Sequence, residues 1–168
     1  MKFNPDIHHR HSIRLRNYDY SSEGYYFVTI CTQDRAKLFG EVVGAALCGR
    51  PDEVSQMIIK WLKETENKFP GIYVDKFTVM PNHIHFIVFI PGGHTGPPLY
   101  EIVGWFKTMT TNEYIAGVKS GLYPPFDRRV WQRNYYEHII QNKEEYRKTG
   151  QYIDENPLRW TEDTYYEI

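Results

Sequence analysis

Cysteine is scarce in this chain: Cys31 and Cys48 are the only two in 168 residues, too few to frame a disulfide-stapled fold. No long apolar run exists either. The longest, Ile84 to Ile90, has His85 inside it and falls far short of the roughly 20 residues that a membrane helix needs. Nor does a basic start lead into an apolar stretch as in a signal peptide, so a cytoplasmic protein without a membrane partner is expected. An excess of charge of one sign is also lacking. The net charge of −1 excludes a uniformly basic nucleic-acid binder, although Glu162, Asp163 and Glu167 cluster in an acidic tail over 161–168 and leave the rest at +2. What remains is an ordinary globular composition, 41% hydrophobic and 24% charged, of a length that fits one domain over 1–168. Tyrosine is plentiful, at 14 residues, but suits sheets and interfaces as well as base stacking, so it selects no function.

Residues 1–22 are polar and hold His8, His9, Arg10, His11, Arg14 and Arg16 without a clear period, which reads as a basic N-terminal arm. The β-branched and aromatic run 25–32 predicts a first strand, and 38–43 a short ribbon. Val54, Met57, Ile58, Trp61 and Leu62 recur at helical spacing after Pro51 and predict a helix over 51–69. Pro70-Gly71 breaks it. Strands are predicted over 72–80 and 83–90, joined at the turn-forming Pro81-Asn82. Leu99, Ile102, Val103, Phe106 and Met109 predict a second helix, 130–141 a fourth strand, and 143–155 a last helix stopped by Pro157, with Gly150 a weak point at its centre. The order strand, helix, strand, strand, helix, strand, helix predicts an α+β domain with one antiparallel sheet covered by helices.

His83 and His85 are two apart, so on a strand both imidazoles project from one face and can share a cation; spacing alone also admits surface or core histidines. Tyr152 and Asn156 are four apart on the last helix and share a face, which offers a phenol and an amide oxygen. Packing by Tyr152 and capping by Asn156 is the competing account.

Met80-Pro81-Asn82-His83-Ile84-His85 resembles the HUH motif of single-tyrosine transposases, in which a hydrophobic residue separates two histidines. The blocks 131–140 (WQRNYYEHII) and 152–160 (YIDENPLRW) are similar to blocks of the REP-associated tyrosine transposases, a branch of that superfamily, as are 25–35 and Phe106-Lys107. Asn156 fits this branch, whereas the insertion-sequence branch has glutamine there. The resemblance implies a ferredoxin-like four-stranded antiparallel sheet with helices packed on it. It implies a transposase that nicks and rejoins single-stranded, hairpin-associated DNA through a 5′-phosphotyrosine. Carried over by position, Tyr152 is the nucleophile, and His83, His85 and Asn156 ligate a divalent metal, Mg²⁺ or Mn²⁺.

The residues themselves keep other roles open. Tyr135, Tyr136 and Tyr146 are alternative nucleophiles, and His138 beside Glu137 is a candidate proton shuttle. Lys107, Arg128, Arg129, Arg133, Arg14 and Arg16 are candidate phosphate contacts. A silent single-strand-binding module on the same sheet is the competing function, an RNA binder a third, and monomer and homodimer both stay open.

Overall fold

A computed structural model describes residues 19–40, 52–92 and 97–165. The ribbon expected over 38–43 falls partly outside them, as does almost all of the basic arm, with Arg14 and Arg16. Four strands form one sheet: β1 (Gly24–Cys31), β2 (Tyr73–Met80), β3 (His83–Ile90) and β4 (Tyr136–Ile140), in the order β2-β3-β1-β4. Every neighbouring pair is antiparallel. Helices α1 (Glu53–Lys68) and α2 (Leu99–Lys119) lie between β1 and β2 and between β3 and β4, and α3 (Lys143–Glu155) comes after β4. This βαββαβ order with a trailing helix is the ferredoxin-like arrangement expected.

The alternation of side chains along β1 and β3 divides the work of the two faces. Tyr26, Val28, Ile30, Ile84, Phe86, Val88 and Ile90 point into the main core, where α1 and α2 contribute Ile58, Leu62, Leu99 and Phe106. Helix α1 starts where Asp52 accepts a hydrogen bond from Ser55 N at 2.7 Å, capping the first turn. The buried stripe of α2 continues past Phe106 through Thr110, Tyr114 and Gly117, so the helix runs ten residues beyond Met109.

The opposite face carries α3 and the histidines. A small cluster of Ile87, Ile140 and Ile153 seats the helix on the sheet. A β-bulge in β2 adds to this: Asp75 and Lys76 both face the single residue Ile87, because Val74 pairs with Val88 and Phe77 with Phe86. Both bulged side chains reach α3, Asp75 accepting from the Tyr146 hydroxyl and Lys76 pairing with Asp154. Gly150 has a role here. A Cβ at that position would come within 3.1 Å of the Lys76 side chain, so the glycine lets helix and strand approach closely.

The fourth strand is shorter than expected. Lys107 on α2 donates to the carbonyls of Gln132, Arg133 and Asn134 at 3.0, 3.3 and 3.1 Å, which takes those groups out of any ladder. Among the described residues only Trp131 of this segment pairs, by an isolated bridge to Thr32, before β4 begins at Tyr136. Leu38 and Phe39 are buried without strand pairing, and Phe39 N donates to Pro81 O at 3.0 Å, so this segment braces the β2–β3 turn. No helix among the described residues is long and apolar enough to cross a membrane.

Candidate active site

The short turn at Pro81-Asn82 places His83 at the start of β3, beside Cys31 and Met80, and His85 beside Thr29 and Thr78. Both imidazoles are buried, at 0% and 1% exposure. Their Nε2 atoms lie 2.9 Å apart. The other ring nitrogens are held from behind: His83 Nδ1 lies 2.8 Å from Asn82 Oδ1, and His85 Nδ1 lies 2.8 Å from Thr29 Oγ1. An amide oxygen only accepts, and Asn82 Nδ2 is spent on Tyr165 O, so the network assigns the His83 proton to Nδ1 and leaves Nε2 a bare acceptor. Thr29 can donate or accept. It therefore allows His85 to hand Nε2–H to His83 or, with its proton on Nδ1, to present a second bare Nε2.

Burial keeps both rings neutral. It lowers the His83 pKa to about 4, against a smaller opposing pull from Asp163, and it lowers that of His85 well below the ordinary value, aided by His83. Folded-state pKa values below the unfolded value mean that the unfolded chain binds more protons on the way down. The pair's contribution to stability is thus fully present above about pH 6.5 and lost as pH falls toward about 4. The melting temperature in chelator should fall across that window; a flat profile would contradict two neutral, buried imidazoles.

Helix α3 brings Tyr152 to this pair. Asn142 caps the helix, accepting from Glu144 N at 3.1 Å and Glu145 N at 2.9 Å. Tyr152 is 42% exposed, and its ring stands edge-on to His85 and Phe27, at centroid distances of 5.3 and 6.0 Å. Its hydroxyl lies 3.4 Å from His85 Nε2 and 3.5 Å from Asp163 Oδ2. Burial raises its pKa, and the facing Asp163 and Tyr165 raise it further, so the side chain rests as the neutral phenol.

Asn156 lies one turn later at 4% exposure. It is the C-cap of α3 through its backbone, while its side chain turns to the site: Nδ2 donates to Asp163 Oδ2 at 2.5 Å, and Oδ1 is buried without a hydrogen bond. Two imidazole nitrogens and this oxygen are donors suited to a divalent cation.

The other expectations fare differently. Tyr146 is tied to Asp75, Tyr135 lies against Lys107 with Nζ 5.5 Å from its ring, and Tyr136 is half exposed on the edge strand. His138 pairs with Glu145 at 2.5 Å, because Glu137, its strand neighbour, points to the opposite face. Lys107 is committed to carbonyls. Arg128, Arg129 and Arg133 line a groove of about 420 Å³ between α2 and the segment before β4, with neither His83 nor His85 in its lining. Sequence reasoning missed Asp163 and Tyr165: a 3₁₀ turn over Asn156–Glu162 carries the acidic tail back, and the Tyr165 ring centroid lies 4.8 Å from that of His83. No spacing rule signals this return.

The sequence profile of the family described as "Transposase IS200 like" matches residues 20–156. The chain belongs to the IS200-like transposase family. It is 35% identical over 98% of its length to an uncharacterised protein of Haemophilus influenzae, covering 97% of that protein. A second protein of the same organism, named as a REP-associated tyrosine transposase, is 24% identical over 86% of this chain and 77% of its own length. Among solved structures, a REP-associated tyrosine transposase bound to a REP hairpin shares the fold with a TM-score of 0.62, at 21% identity over 89% of this chain and 74% of that one. A transposase from Deinococcus radiodurans R1 superposes with a TM-score of 0.53, at 18% identity over 87% of this chain and 98% of that one. The family and the fold thus agree with the resemblance read from the HUH block.

Proposed function

We propose that this transposase nicks and rejoins single-stranded DNA beside hairpins, with Tyr152 as the nucleophile. The observation that carries the reading is the Tyr152 hydroxyl standing 3.4 Å from His85 Nε2, over a buried imidazole pair whose Nε2 atoms face one another. A divalent ion, when bound, supplies positive charge that polarises a scissile phosphate and favours the phenolate. His83 and His85 would hold it through Nε2 and Asn156 through Oδ1, a set that imidazole would tilt toward Mn²⁺ over Mg²⁺. The tyrosine is pre-positioned by its edge contacts with Phe27 and His85, and α3 is fixed by the bulge, the isoleucine cluster and the Asn142 cap.

The bonds balance without ATP. The tyrosine oxygen forms a bond to phosphorus as the bond from phosphorus to O3′ breaks; the phenol loses one proton and the departing O3′ gains one. The downstream strand is left on the enzyme as a 5′-phosphotyrosine, and attack by another 3′-OH reverses the step. On a denaturing gel, a hairpin substrate labelled at its 3′ end should leave its label on the protein in the presence of Mn²⁺. Release of that label as a free 5′-phosphate fragment would mean hydrolysis and contradict the reading.

Hairpin DNA is the proposed partner, as in the REP-hairpin complex of the structural relative. Among the described residues no acid lines the groove that holds Arg128, Arg129 and Arg133, which suits phosphates. Replacing Arg129 and Arg133 by alanine should weaken hairpin binding in anisotropy titrations and reduce the salt slope by about 2. An unchanged slope would remove these residues from the interface.

A further inference from the structure

The return of the chain after α3 buries a negative charge beside the histidines. The Asp163 side chain is 1% exposed, and its Oδ2 lies 4.0 Å from His83 Nε2. Its hydrogen-bonding partners are neutral groups: Asn156 Nδ2 at 2.5 Å and the Tyr152 hydroxyl at 3.5 Å on Oδ2, and Tyr165 N at 2.6 Å on Oδ1. No lysine or arginine among the described residues forms an ion pair with it. Arg35, the nearby guanidinium, is spent over the Tyr165 ring, 5.4 Å from the centroid. A carboxylate taken out of water among neutral donors is costly unless a cation joins it.

The geometry points to Asp163 as a ligand of the divalent ion at His83 and His85, the anionic member of a two-histidine, one-carboxylate set. This rests on the metal role proposed above for the histidines and goes beyond it by adding a residue outside the HUH and tyrosine blocks. Bonds of about 2.1 Å in a six-coordinate ion separate adjacent donors by about 3 Å and opposite donors by about 4.2 Å. Two of the three spacings, 2.9 Å between the Nε2 atoms and 4.0 Å from His83 Nε2 to Asp163 Oδ2, fall at or within those limits, and the third, up to 4.8 Å, would close by about half an ångström around an ion. The three ligand atoms all lie within 4.8 Å of one another. Asp163 also sets the Asn156 amide. By accepting from Nδ2 it fixes which way the amide faces and leaves Oδ1 without a hydrogen bond, available as a second oxygen donor. With a carboxylate in the set, the site suits Mn²⁺ or Fe²⁺ better than two imidazoles and an amide alone would.

The test is Mn²⁺ binding to the full chain without DNA, read from the loss of the free-ion electron paramagnetic resonance signal. Wild type should bind, His83→Ala should not, and Asp163→Asn should bind at least about tenfold more weakly than wild type. Asp163→Asn binding within twofold of wild type, or more tightly, would overturn the inference while leaving the histidine reading intact. If wild type fails to bind, or His83→Ala binds as wild type does, the histidine reading itself falls and the inference with it. Should Asp163→Asn not fold, Asp163→Cys titrated with Cd²⁺ decides: a thiolate-to-cadmium charge-transfer band is expected, and its absence would overturn the assignment.

Discussion

Tyr152→Phe should abolish the protein–DNA adduct and lower strand cleavage by at least about a thousandfold, while hairpin affinity and folding stay near wild type. The substitution removes one oxygen and leaves the ring that meets Phe27 and His85 edge-on. That oxygen's two contacts are long, at 3.4 and 3.5 Å, and the side chain is 42% exposed, so little folding energy resides in them. A structural role would move the melting temperature and spare cleavage; a nucleophilic role does the reverse. Cleavage persisting at the wild-type rate would return the choice to Tyr135, Tyr136 or Tyr146. Each is a poorer candidate: Tyr146 donates to Asp75, which raises its pKa to about 12, Tyr135 packs on Lys107, and Tyr136 lies exposed on the edge strand.

The second large effect belongs to the histidines. His85→Ala deletes a fully buried ring, leaves the Thr29 hydroxyl without its nitrogen partner, and removes one of two facing Nε2 donors. The cavity and the orphaned hydroxyl together cost about 2–4 kcal/mol of stability. Cleavage should fall by about a thousandfold or more, since metal-assisted charge stabilisation contributes several kcal/mol. Lost stability alone could mimic lost activity, so the deciding comparison is thermal. At Mn²⁺ a hundredfold above its dissociation constant, wild type gains about 2.7 kcal/mol, some 5–10 °C in a chain of this size. His85→Ala should gain none. An equal shift in the variant would place the ion elsewhere.

How far these elements were legible varies with their physics. Helix α1 and the β2–β3 hairpin announce themselves, because the stripe Val54, Met57, Ile58, Leu62 has a helical period, Pro70-Gly71 ends the helix and Pro81-Asn82 separates the two strands. The histidine pair was equally legible: a period of two on a strand dictates that both rings share a face. The boundaries of β4 were not. Its sequence from Trp131 onward is aromatic and β-prone, yet a tertiary contact, Lys107 with three carbonyls, overrides local propensity. Asp163 was the least legible. In the sequence it is one acid in an acidic tail, and only the turn beginning at Asn156 and Pro157 brings it onto the imidazoles. Gly150 read as a flaw in a helix and is instead where α3 comes close to Lys76.

The central claim is that Tyr152 becomes covalently joined to DNA through a 5′ phosphate. The most direct measurement is to incubate the full chain with Mn²⁺ and a single-stranded hairpin substrate, quench under denaturing conditions, digest with protease and nuclease, and map the nucleotide-bearing peptide by mass spectrometry. The expected result is one modified peptide, carrying a nucleoside 5′-phosphate on Tyr152 and appearing only with metal. A modification on any other tyrosine, or cleaved DNA with no modified peptide, would contradict the account.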